Sequence, residues 1–534
     1  MGRFVFVDSE INSKNQITDL GAIKDDGAEF HNGNPRFFAS FVTNSSYVVG
    51  HNIFRHDLLY LKKYLPNRYT VIDTLFWSPI LFPNKPYHKL VKDDKIDNDD
   101  VNNPLSDSIK CRDLYYDEVS KFNTLPQKLK DIFGELLYKR IEFSGFLNSV
   151  NWNHRIFANV KGMIKEHFYG MICSNANLDR LIRDNPIELA YALALITAED
   201  KKSITPGWVL HEFPNVQYVI HELRSKNCHD ERCPYCSTAF KAKEKLKEYF
   251  GYSDFRTFEG ENLQERAVNL ALERKSLLAI FPTGGGKSLT FQLPALIDGE
   301  TIRGLTIVIS PLQSLMKDQV DNLEKKTIVG AATINGLLSP VERSENIELV
   351  RNGTASLLYI APESLRSKTI ERLLMSREIS RIVIDEAHCF SSWGHDFRVD
   401  YLFIADFIKN LQEKKNLKTN IPISCFTATA KPKVISDICS YFRDNLGIEL
   451  NVLASSATRT NLTYKVLYLE NENEKYLTLR ELLIQNKCPT IIYVARVSET
   501  TSLADRLSKD GIPAIPFNGQ MDRSEKIVKR EIWQ

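Results

Sequence analysis

The sequence predicts an α/β protein with more than one folded unit, and three observations support this prediction. The chain has 534 residues, which at roughly 150 residues per domain suggests three to four domains. Hydrophobic residues make up 43% of the chain and charged residues 25%, an ordinary globular composition. In the C-terminal half, short apolar runs alternate with helical patterns, and a glycine-rich loop separates one such run from a helix. Continuously apolar strands are typical of parallel sheets with both faces buried, so we expect a parallel sheet there.

Composition excludes several classes of protein. The formal net charge is +2, so a nucleic-acid site would have to be a local basic groove. Nine cysteines in so long a chain are too few for a disulfide scaffold, and no apolar run reaches the length of about 18 residues that a membrane span needs. The first ten residues turn acidic, unlike a signal peptide. We expect a cytoplasmic protein, nucleoid-associated in a bacterium, with no membrane partner.

Four regions are predicted along the chain. Residues 1–147 are expected to form a small α/β domain, with strands at 4–7, 18–23 and 47–50, helices at 57–61 and 107–119, and mostly loop at 79–104. Residues 148–250 contain an apolar helix at 187–198 but no recognisable fold. Residues 251–455 are expected to hold the parallel sheet, with strands at 277–280, 306–309, 357–360 and 382–384. Residues 456–534 begin a second strand–helix cycle near 490–494.

The glycine-rich loop has the features of a phosphate-binding loop. It follows a predicted strand and precedes a helix, and its ligand-binding residues are expected to be Thr283, Gly284, Gly285, Gly286, Lys287 and Ser288. Glycines let backbone N–H groups turn towards phosphates at a helix N-terminus. The Lys287 ammonium could reach the β- and γ-phosphates, and the Ser288 hydroxyl could ligate Mg²⁺. Phe281 stands where the general pattern has its first glycine.

Two acidic residues follow the predicted strand at 382–384. Asp385 is placed to hold Mg²⁺, directly or through water, and Glu386 to orient and deprotonate an attacking water. Adjacent acids after a strand are common on protein surfaces. Together with the glycine-rich loop about one hundred residues earlier, they predict an ATP-hydrolysing site with Lys287, Asp385 and Glu386 as its catalytic residues.

Residues 249–534 resemble the RecQ family of superfamily 2 DNA helicases. The motifs that carry the resemblance occur in the family's order, at 249–256 with Gln264, 310–319, 359–363, 389–398 and 426–430. The resemblance implies RecA-like lobes, ATP with Mg²⁺, 3′-to-5′ translocation on single-stranded DNA, and adenine recognition by Arg256 and Gln264. It also implies an aromatic-rich loop that contacts DNA through Trp393, His395, Phe397 and Arg398, where aromatic rings can stack on bases.

The C-terminal part departs from the RecQ pattern. The second lobe is expected to start near Arg459, and the sequence ends before the late motif that supplies an arginine finger in this family. We therefore expect an incomplete second lobe that binds ATP but hydrolyses it poorly. A second polypeptide that supplies the rest of the helicase is one candidate partner, besides single-stranded or partly duplex DNA.

The N-terminal region offers dispersed carboxylates. Asp8 and Glu10 share one face of the first strand, Asp57 opens a helix, and Asp107 opens a later one. Spacing alone favours scattered surface acids. The segment 4–120, however, resembles the DnaQ-like 3′–5′ exonucleases of the DEDD superfamily, through Phe6–Glu10, Ile17–Ile23, Val49–Asp57 and Asn102–Asp107. The resemblance implies a ribonuclease H-like fold in which these four acids hold Mg²⁺.

The position of the general base of this nuclease stays open. The family places a histidine five residues before the last aspartate, and that position holds Asn102. His88 precedes Asp93 by the same spacing, so His88 is the expected base and Asp93 rivals Asp107 as the fourth ligand. Asp107 is preferred because an amphipathic helix follows it.

Three cysteines form a tight group at Cys228, Cys233 and Cys236. Structural zinc takes four nitrogen or sulfur ligands, and His221 or His229 is the expected fourth; three unpaired thiols are the alternative. The zinc module of RecQ helicases lies after the helicase lobes, so this group is not that module. The basic run at 241–247 is expected to be a solvated helix face.

Two functions compete at this point. The first is an ATP-dependent DNA helicase coupled to a metal-dependent exonuclease, acting in repair, recombination or defence. The second is a catalytically weakened DNA-binding or regulatory subunit, indicated by Asn102 and by the incomplete second lobe.

Overall fold

The computed structural model describes residues 3–88, 90, 103–154, 159–200, 203–336, 338–391, 399–428, 431–455, 462–486 and 488–521. Tertiary contacts divide the chain into two compact units, residues 1–458 and 459–534. The predicted α/β class is confirmed, because the first unit contains a mixed five-stranded sheet and a separate, all-parallel seven-stranded sheet.

The mixed sheet lies near the N-terminus. Its strands are β1 (Phe4–Ile11), β2 (Ile17–Lys24), β3 (Glu29–His31), β4 (Tyr47–Gly50) and β5 (Thr70–Asp73), in the order β3-β2-β1-β4-β5. The first three strands are antiparallel to one another, whereas β4 pairs in parallel with β1 and β5. Four helices accompany the sheet: α1 (Pro35–Val42), α2 (Asp57–Leu61), α3 (Thr74–Leu81) and α4 (Pro104–Thr124). The loop predicted from residue 79 therefore begins after Leu81.

The local sequence determines where helix α4 begins. The Asn103 side chain accepts hydrogen bonds from the backbone N–H groups of Leu105 and Ser106, and Pro104 occupies the first helical position. The helix crosses β2 so closely that a Cβ on Gly21 would lie 2.1 Å from the backbone of Pro104. This approach fixes the first turn of α4, which carries Asp107, against the sheet.

The region from α5 to α13 is helical. Its helices are α5 (Gln127–Leu137), α6 (Ile141–Ser149), α7 (Val160–His167), α8 (Leu178–Asp184), α9 (Pro186–Ile196), α10 (Gly207–Glu212), α11 (Asn215–Arg224), α12 (Cys236–Ala239) and α13 (Ala242–Phe250). The apolar helix predicted at 187–198 is α9, and it is almost wholly buried. It packs in one hydrophobic core with Phe6, Phe76 and Trp77 of the N-terminal sheet region, so the core continues across residue 147.

The parallel sheet forms the centre of the following region. Its strands are β6 (Leu277–Ile280), β7 (Leu305–Ile309), β8 (Ala331–Ile334), β9 (Leu357–Ile360), β10 (Ile379–Ile384), β11 (Ile423–Thr427) and β12 (Asn451–Ala454), in the order β12-β6-β11-β10-β7-β9-β8. The helices around it are α14 (Leu263–Leu272), α15 (Lys287–Ile302), α16 (Gln313–Glu324), α17 (Pro340–Arg351), α18 (Lys368–Met375), α19 (Val399–Leu402), α20 (Ile404–Lys414) and α21 (Pro432–Leu446). Sequence analysis anticipated β6, β7, β9 and β10.

The second unit contains two described helices, α22 (Glu472–Gln485) and α23 (Val497–Lys509). The Arg506 guanidinium lies 3.5 Å from the centroid of the Tyr476 ring, and the Tyr476 hydroxyl donates to Asp510 at 2.8 Å. The strand predicted at 490–494 is absent, since the described residues there have no regular secondary structure. Of the helices that the structure describes, none is both long and apolar enough to cross a membrane.

Candidate nucleotide and metal sites

The glycine-rich loop turns directly from β6 into α15. Gly284 and Gly286 both have a φ of +76°, a conformation that glycine adopts without the penalty of a Cβ. Lys287 is the first residue of α15, so the loop places the helix N-terminus and the lysine together. Phe281 is fully buried and stacks on Phe258 with ring centroids 4.8 Å apart. Phe281, which departs from the general pattern, therefore packs in the hydrophobic core.

Arg256 and Gln264 hold the loop from the other side. The Gln264 side chain accepts a hydrogen bond from the Arg256 N–H at 2.8 Å and donates one to the Gly286 carbonyl at 3.0 Å. The Arg256 guanidinium donates to the Gly284 carbonyl. The two residues predicted to recognise adenine thus contact the phosphate loop itself, and adenine recognition by them stays a prediction.

The acidic pair faces the loop because the sheet is parallel. Asp385 follows β10, Thr427 ends the neighbouring β11, and the loop follows β6, next to β11. Carboxyl ends of parallel strands meet at one edge of a sheet, where open α/β folds bind ligands. The Lys287 ammonium lies 4.0 Å from the Glu386 carboxylate. The structure therefore brings together the three residues that the sequence predicted to be catalytic, Lys287, Asp385 and Glu386.

The two acids have opposite electrostatic environments. Burial, with the neighbouring Glu386 charge, raises the pKa of Asp385 to about 6. A hydrogen bond with His388 lowers the pKa of Glu386, and the imidazole Nδ1 of His388 lies 3.2 Å from both the Glu386 carboxylate and the Thr427 hydroxyl. Glu386 also has a φ of +48°, a strained conformation that non-glycine residues keep mainly at functional sites. His388 was not among the predicted site residues.

A cavity of about 470 Å³ adjoins the loop. Gln264, Gly286 and Ser288 line its loop side, and Leu246 and Phe250 of α13 line its apolar side. This combination of an apolar wall with a few polar groups is typical of small-molecule sites. The sequence did not predict that α13 lines this cavity, because the lysines at 241–247 indicated a solvated helix face.

The predicted DNA-contacting residues cannot be placed. Trp393, His395, Phe397 and Arg398 lie outside the residues that the structure describes, and their assignment stays a prediction.

Three of the four predicted N-terminal carboxylates come together. Ligand oxygens of Asp8, Glu10 and Asp107 all lie within 4.8 Å of one another. Asp8 and Glu10 project from β1, and Asp107 from the first turn of α4. Such closely spaced acids repel one another unless cations or protons intervene. Burial, together with the charges of Asp57, Asp107 and Glu10, raises the pKa of Asp8 to about 8.

Asp57 lies beside this group. It is 1% exposed, and its carboxylate accepts a hydrogen bond from the Ser9 hydroxyl at 2.6 Å. The His56 imidazole is 3.5 Å from the same carboxylate, and hydrogen bonding to Asp57 raises the pKa of His56. The three acids and Asp57 therefore form one carboxylate cluster, which His56 borders.

The structure does not support His88 as the general base. Its side chain is 6% exposed, and its Nδ1 lies 2.8 Å from the Ser78 hydroxyl. Burial lowers its pKa to about 4, and it lines a small internal pocket with Pro79 and Tyr191. A side chain enclosed in this way is poorly placed to take a proton from water at the carboxylates. Asn102 and Asp93 lie outside the described residues.

The cysteine group has a fourth member that the sequence analysis missed. The sulfur atoms of Cys173, Cys228, Cys233 and Cys236 lie within 4.8 Å of one another. The prediction of His221 as fourth ligand is wrong, because its Nε2 lies 2.6 Å from the buried carboxylate of Glu378. His229 is exposed and is not part of the group.

Comparisons with known proteins concern the C-terminal half. Residues 261–438 match the family model of DEAD/DEAH box helicases. The chain is 38% identical over 281 residues to the ATP-dependent DNA helicase RecQ of Bacillus subtilis, covering 52% of this chain and 44% of that protein. It is 35% identical over 297 residues to the ATP-dependent helicase SGS1 of Saccharomyces cerevisiae, covering 54% and 19%. Both matches span less than half of the relative's length.

Solved helicase structures also match about half of the chain. The DUF1998 helicase MrfA aligns at a TM-score of 0.40 and 18% identity, over 55% of this chain and 43% of that one. The DEAD-box helicase Mss116 bound to ssRNA and UDP-BeF aligns at a TM-score of 0.40 and 18% identity, over 54% and 61%. The exonuclease resemblance of the N-terminal region stays a prediction. Residues 261–438 are thus similar to DEAD/DEAH box helicases, and they lie within a region similar to RecQ helicases.

Proposed function

We propose that this protein is an ATP-driven DNA motor of RecQ type that carries a metal-dependent 3′–5′ exonuclease. The observation that carries the motor proposal is the approach of Lys287, the first residue of α15, to within 4.0 Å of Glu386. Gln264 and Arg256 hold the glycine-rich loop, and an open cavity lies beside it. The similarity to RecQ, an ATP-dependent DNA helicase, supports DNA as the substrate, and the resemblance of the motifs implies 3′-to-5′ as the direction.

The donor set fits ATP with a divalent cation. The Ser288 hydroxyl and the Asp385 carboxylate would hold Mg²⁺, and burial together with the Glu386 charge, which raises the pKa of Asp385 to about 6, supports a cation beside this carboxyl. When bound, the cation would neutralise charge on the phosphates. Lys287 would bind the phosphates, and Glu386, kept ionised by His388, would take a proton from the attacking water.

Binding of a fluorescent ATP analogue tests the motor site. Lys287→Ala should weaken binding by roughly 10- to 100-fold, because a buried hydrogen bond to a charged group contributes about 1.5–3 kcal/mol. The control is Lys275→Ala, which removes an exposed lysine paired with Glu273. Glu386→Gln should retain binding and lower hydrolysis by roughly 10²-fold or more. If Lys287→Ala binds the ATP analogue as tightly as wild type, the site assignment is wrong. If single-stranded DNA leaves the affinity of the wild-type protein for the analogue unchanged, the proposed coupling between DNA and the nucleotide site is wrong.

The nuclease proposal rests on the carboxylate cluster. Asp8, Glu10 and Asp107 converge although they come from strand β1 and helix α4, which is difficult to maintain without cations. The mixed sheet, with its antiparallel β1–β2 pair carrying Asp8 and Glu10, is consistent with the ribonuclease H-like fold that the motifs imply. Two cations there would stabilise in-line displacement at a phosphodiester.

Degradation of 3′-labelled single-stranded DNA tests the nuclease. Activity should require Mg²⁺ or Mn²⁺, disappear with EDTA, and be lost in Asp8→Asn and Asp107→Asn. Glu29→Gln, which changes an exposed acid on the edge strand β3, should behave like wild type. Activity that survives Asp107→Asn would shift the fourth-ligand assignment to Asp93. Activity that survives Asp8→Asn would refute the proposal.

A further inference from the structure

A group of four cysteine sulfurs belongs to the chain between α7 and α13 and shares no residue with either proposed catalytic site. Cys228, Cys233 and Cys236 belong to the segment between α11 and α13, and Cys173 belongs to the turn between α7 and α8. The Cys173 N–H donates to the Leu223 carbonyl at 2.8 Å. This bond ties the turn to the end of α11 and brings the fourth sulfur to the other three.

The separation of the sulfurs suits a single tetrahedral ion. Zinc binds thiolate sulfur at about 2.3 Å, so the edges of a tetrahedral site measure about 3.8 Å. All four sulfurs lie within 4.8 Å of one another, and all four cysteines are free of disulfides. A four-iron cluster would hold its thiolates farther apart, since the iron cube lies between them. The geometry thus favours one ion over a cluster or two disulfides.

The surroundings of the sulfurs are those of a structural site. Cys173, Cys233 and Cys236 are each at most 4% exposed. Cys233 accepts a hydrogen bond from the Ser174 N–H at 3.4 Å, a contact that stabilises a thiolate. Among the described residues, the group of potential metal ligands contains four cysteines and no histidine or carboxylate, so no position is set aside for water or substrate.

The segment that carries three of the cysteines lacks a core of its own. Between Arg224 and Ala242 it forms only the short helix α12, and its buried residues make a small cluster composed largely of the cysteines with Tyr235 and Ala239. Long irregular segments of this kind need an additional cross-link to stay folded. A metal would supply it, because binding free energy at such sites is folding free energy.

We propose that Cys173, Cys228, Cys233 and Cys236 bind one Zn²⁺ as a closed tetrathiolate site. The ion joins the turn before α8 to the segment that leads into α13. Helix α13 in turn packs on α15, where the Tyr249 hydroxyl donates to Glu300 at 2.5 Å. The site is structural, and its existence does not depend on the proposed motor or nuclease activity.

Metal analysis of the purified full chain tests the proposal. Elemental analysis should find about one zinc per chain, and X-ray absorption at the zinc edge should show four sulfur neighbours at about 2.3 Å. Cys173→Ser should lose most of the zinc. Cys488→Ser, which removes an exposed cysteine of the second unit, and His221→Ala should keep it.

Several results would overturn the assignment. A zinc-free protein purified under reducing conditions, iron with acid-labile sulfide, or disulfides among these cysteines would each refute it. A spectrum with three sulfur neighbours and one nitrogen would show that one of the four cysteines is not a ligand, and would refute the tetrathiolate site. The spectrum uses the unmodified chain, so it decides the number of sulfur ligands even where Cys173→Ser fails to fold.

Discussion

Replacing Asp8 with asparagine should stabilise the metal-free protein, and the gain should grow with pH. Asp8 lies in the carboxylate cluster, where burial and the charges of Asp57, Asp107 and Glu10 raise its pKa from 3.8 to about 8. Asparagine has nearly the same shape but never ionises. The substitution therefore removes the cost of the Asp8 charge and leaves the packing of β1 nearly unchanged.

The sign of the effect follows from the two pKa values. Below pH 3.8 the aspartate is protonated in both the folded and the unfolded chain, and its ionisation contributes nothing. As the pH rises towards 8, the unfolded chain releases the proton while the folded chain retains it, so the free energy of unfolding falls. Above pH 8 the full cost is present. A shift of about four units corresponds to an upper limit of about 6 kcal/mol.

Denaturant unfolding between pH 5 and pH 9, in EDTA and in Mg²⁺, measures this effect. In EDTA, the free energy of unfolding of Asp8→Asn should exceed that of wild type by an amount that increases up to about pH 8 and then levels off. Mg²⁺ should stabilise wild type more than the variant, because the variant has lost a charged ligand. Glu29→Gln provides the control on the edge strand. A pH-independent difference, or equal stabilisation of both proteins by Mg²⁺, would refute the electrostatic account.

Two further substitutions and one change of pH test the nucleotide site and the buried helix α9. Gly286→Ala should lower the affinity for an ATP analogue at least about 10-fold, because the residue has a φ of +76° and a Cβ there would lie 2.5 Å from Gln264 Nε2. The control is Gly330→Ala, which should leave this affinity unchanged because a Cβ there meets only ordinary contacts from 3.6 Å. Mg²⁺-dependent binding of the analogue should weaken as the pH falls through about 6, where Asp385 takes up a proton, and a flat profile from pH 5 to 8 would contradict this. Leu193→Ala, at a fully buried site in α9, should cost about 2–5 kcal/mol of stability in denaturant titrations, whereas Leu59→Ala, at a side chain 70% exposed, should cost little.

The sequence was most informative where local pattern and structure coincide. The strands β6, β7, β9 and β10 are continuous apolar runs because both faces of the parallel sheet are covered. Strand β12 escaped prediction because it lies at the sheet edge, where Asn451 and Val452 are exposed. Strands β8 and β11 also escaped prediction, although every residue of both is buried.

Sites assembled from distant segments were harder to predict. The nucleotide site was found because its loop and acidic pair have characteristic local sequences. Cys173 was missed because Cys228, the nearest of the other three cysteines in sequence, lies in a different segment and no spacing rule links the two. His221 was chosen for its closeness in sequence, but its helix turns the imidazole towards Glu378. Both cases depend on contacts between distant segments of the folded chain, namely the hydrogen bond from the Cys173 N–H to the Leu223 carbonyl and the contact of His221 with Glu378.

The shared core of the N-terminal region leads to a last prediction. Residues 1–147 alone should fail to fold cooperatively, whereas residues 1–240 should fold. The aromatic residues Phe76 and Trp77 of α3 pack with α9 in one core, and the Tyr191 hydroxyl donates to the Phe76 carbonyl at 3.0 Å. Cutting at 147 would expose this apolar surface, and each fully buried large side chain contributes about 1.5–3 kcal/mol.

The boundary on the other side of the helical region is more polar. His221 contacts Glu378, and the Arg303 guanidinium donates to the Ala198 carbonyl at 3.2 Å. Polar contacts of this kind can be replaced by water, so a cut near residue 240 should expose far less apolar surface than a cut at 147. Circular dichroism and thermal unfolding of the two fragments provide the measurement. A cooperative transition in residues 1–147 that equals that of 1–240 would show that the mixed sheet has a sufficient core of its own, and that the nuclease-like region folds independently of the helices that follow it.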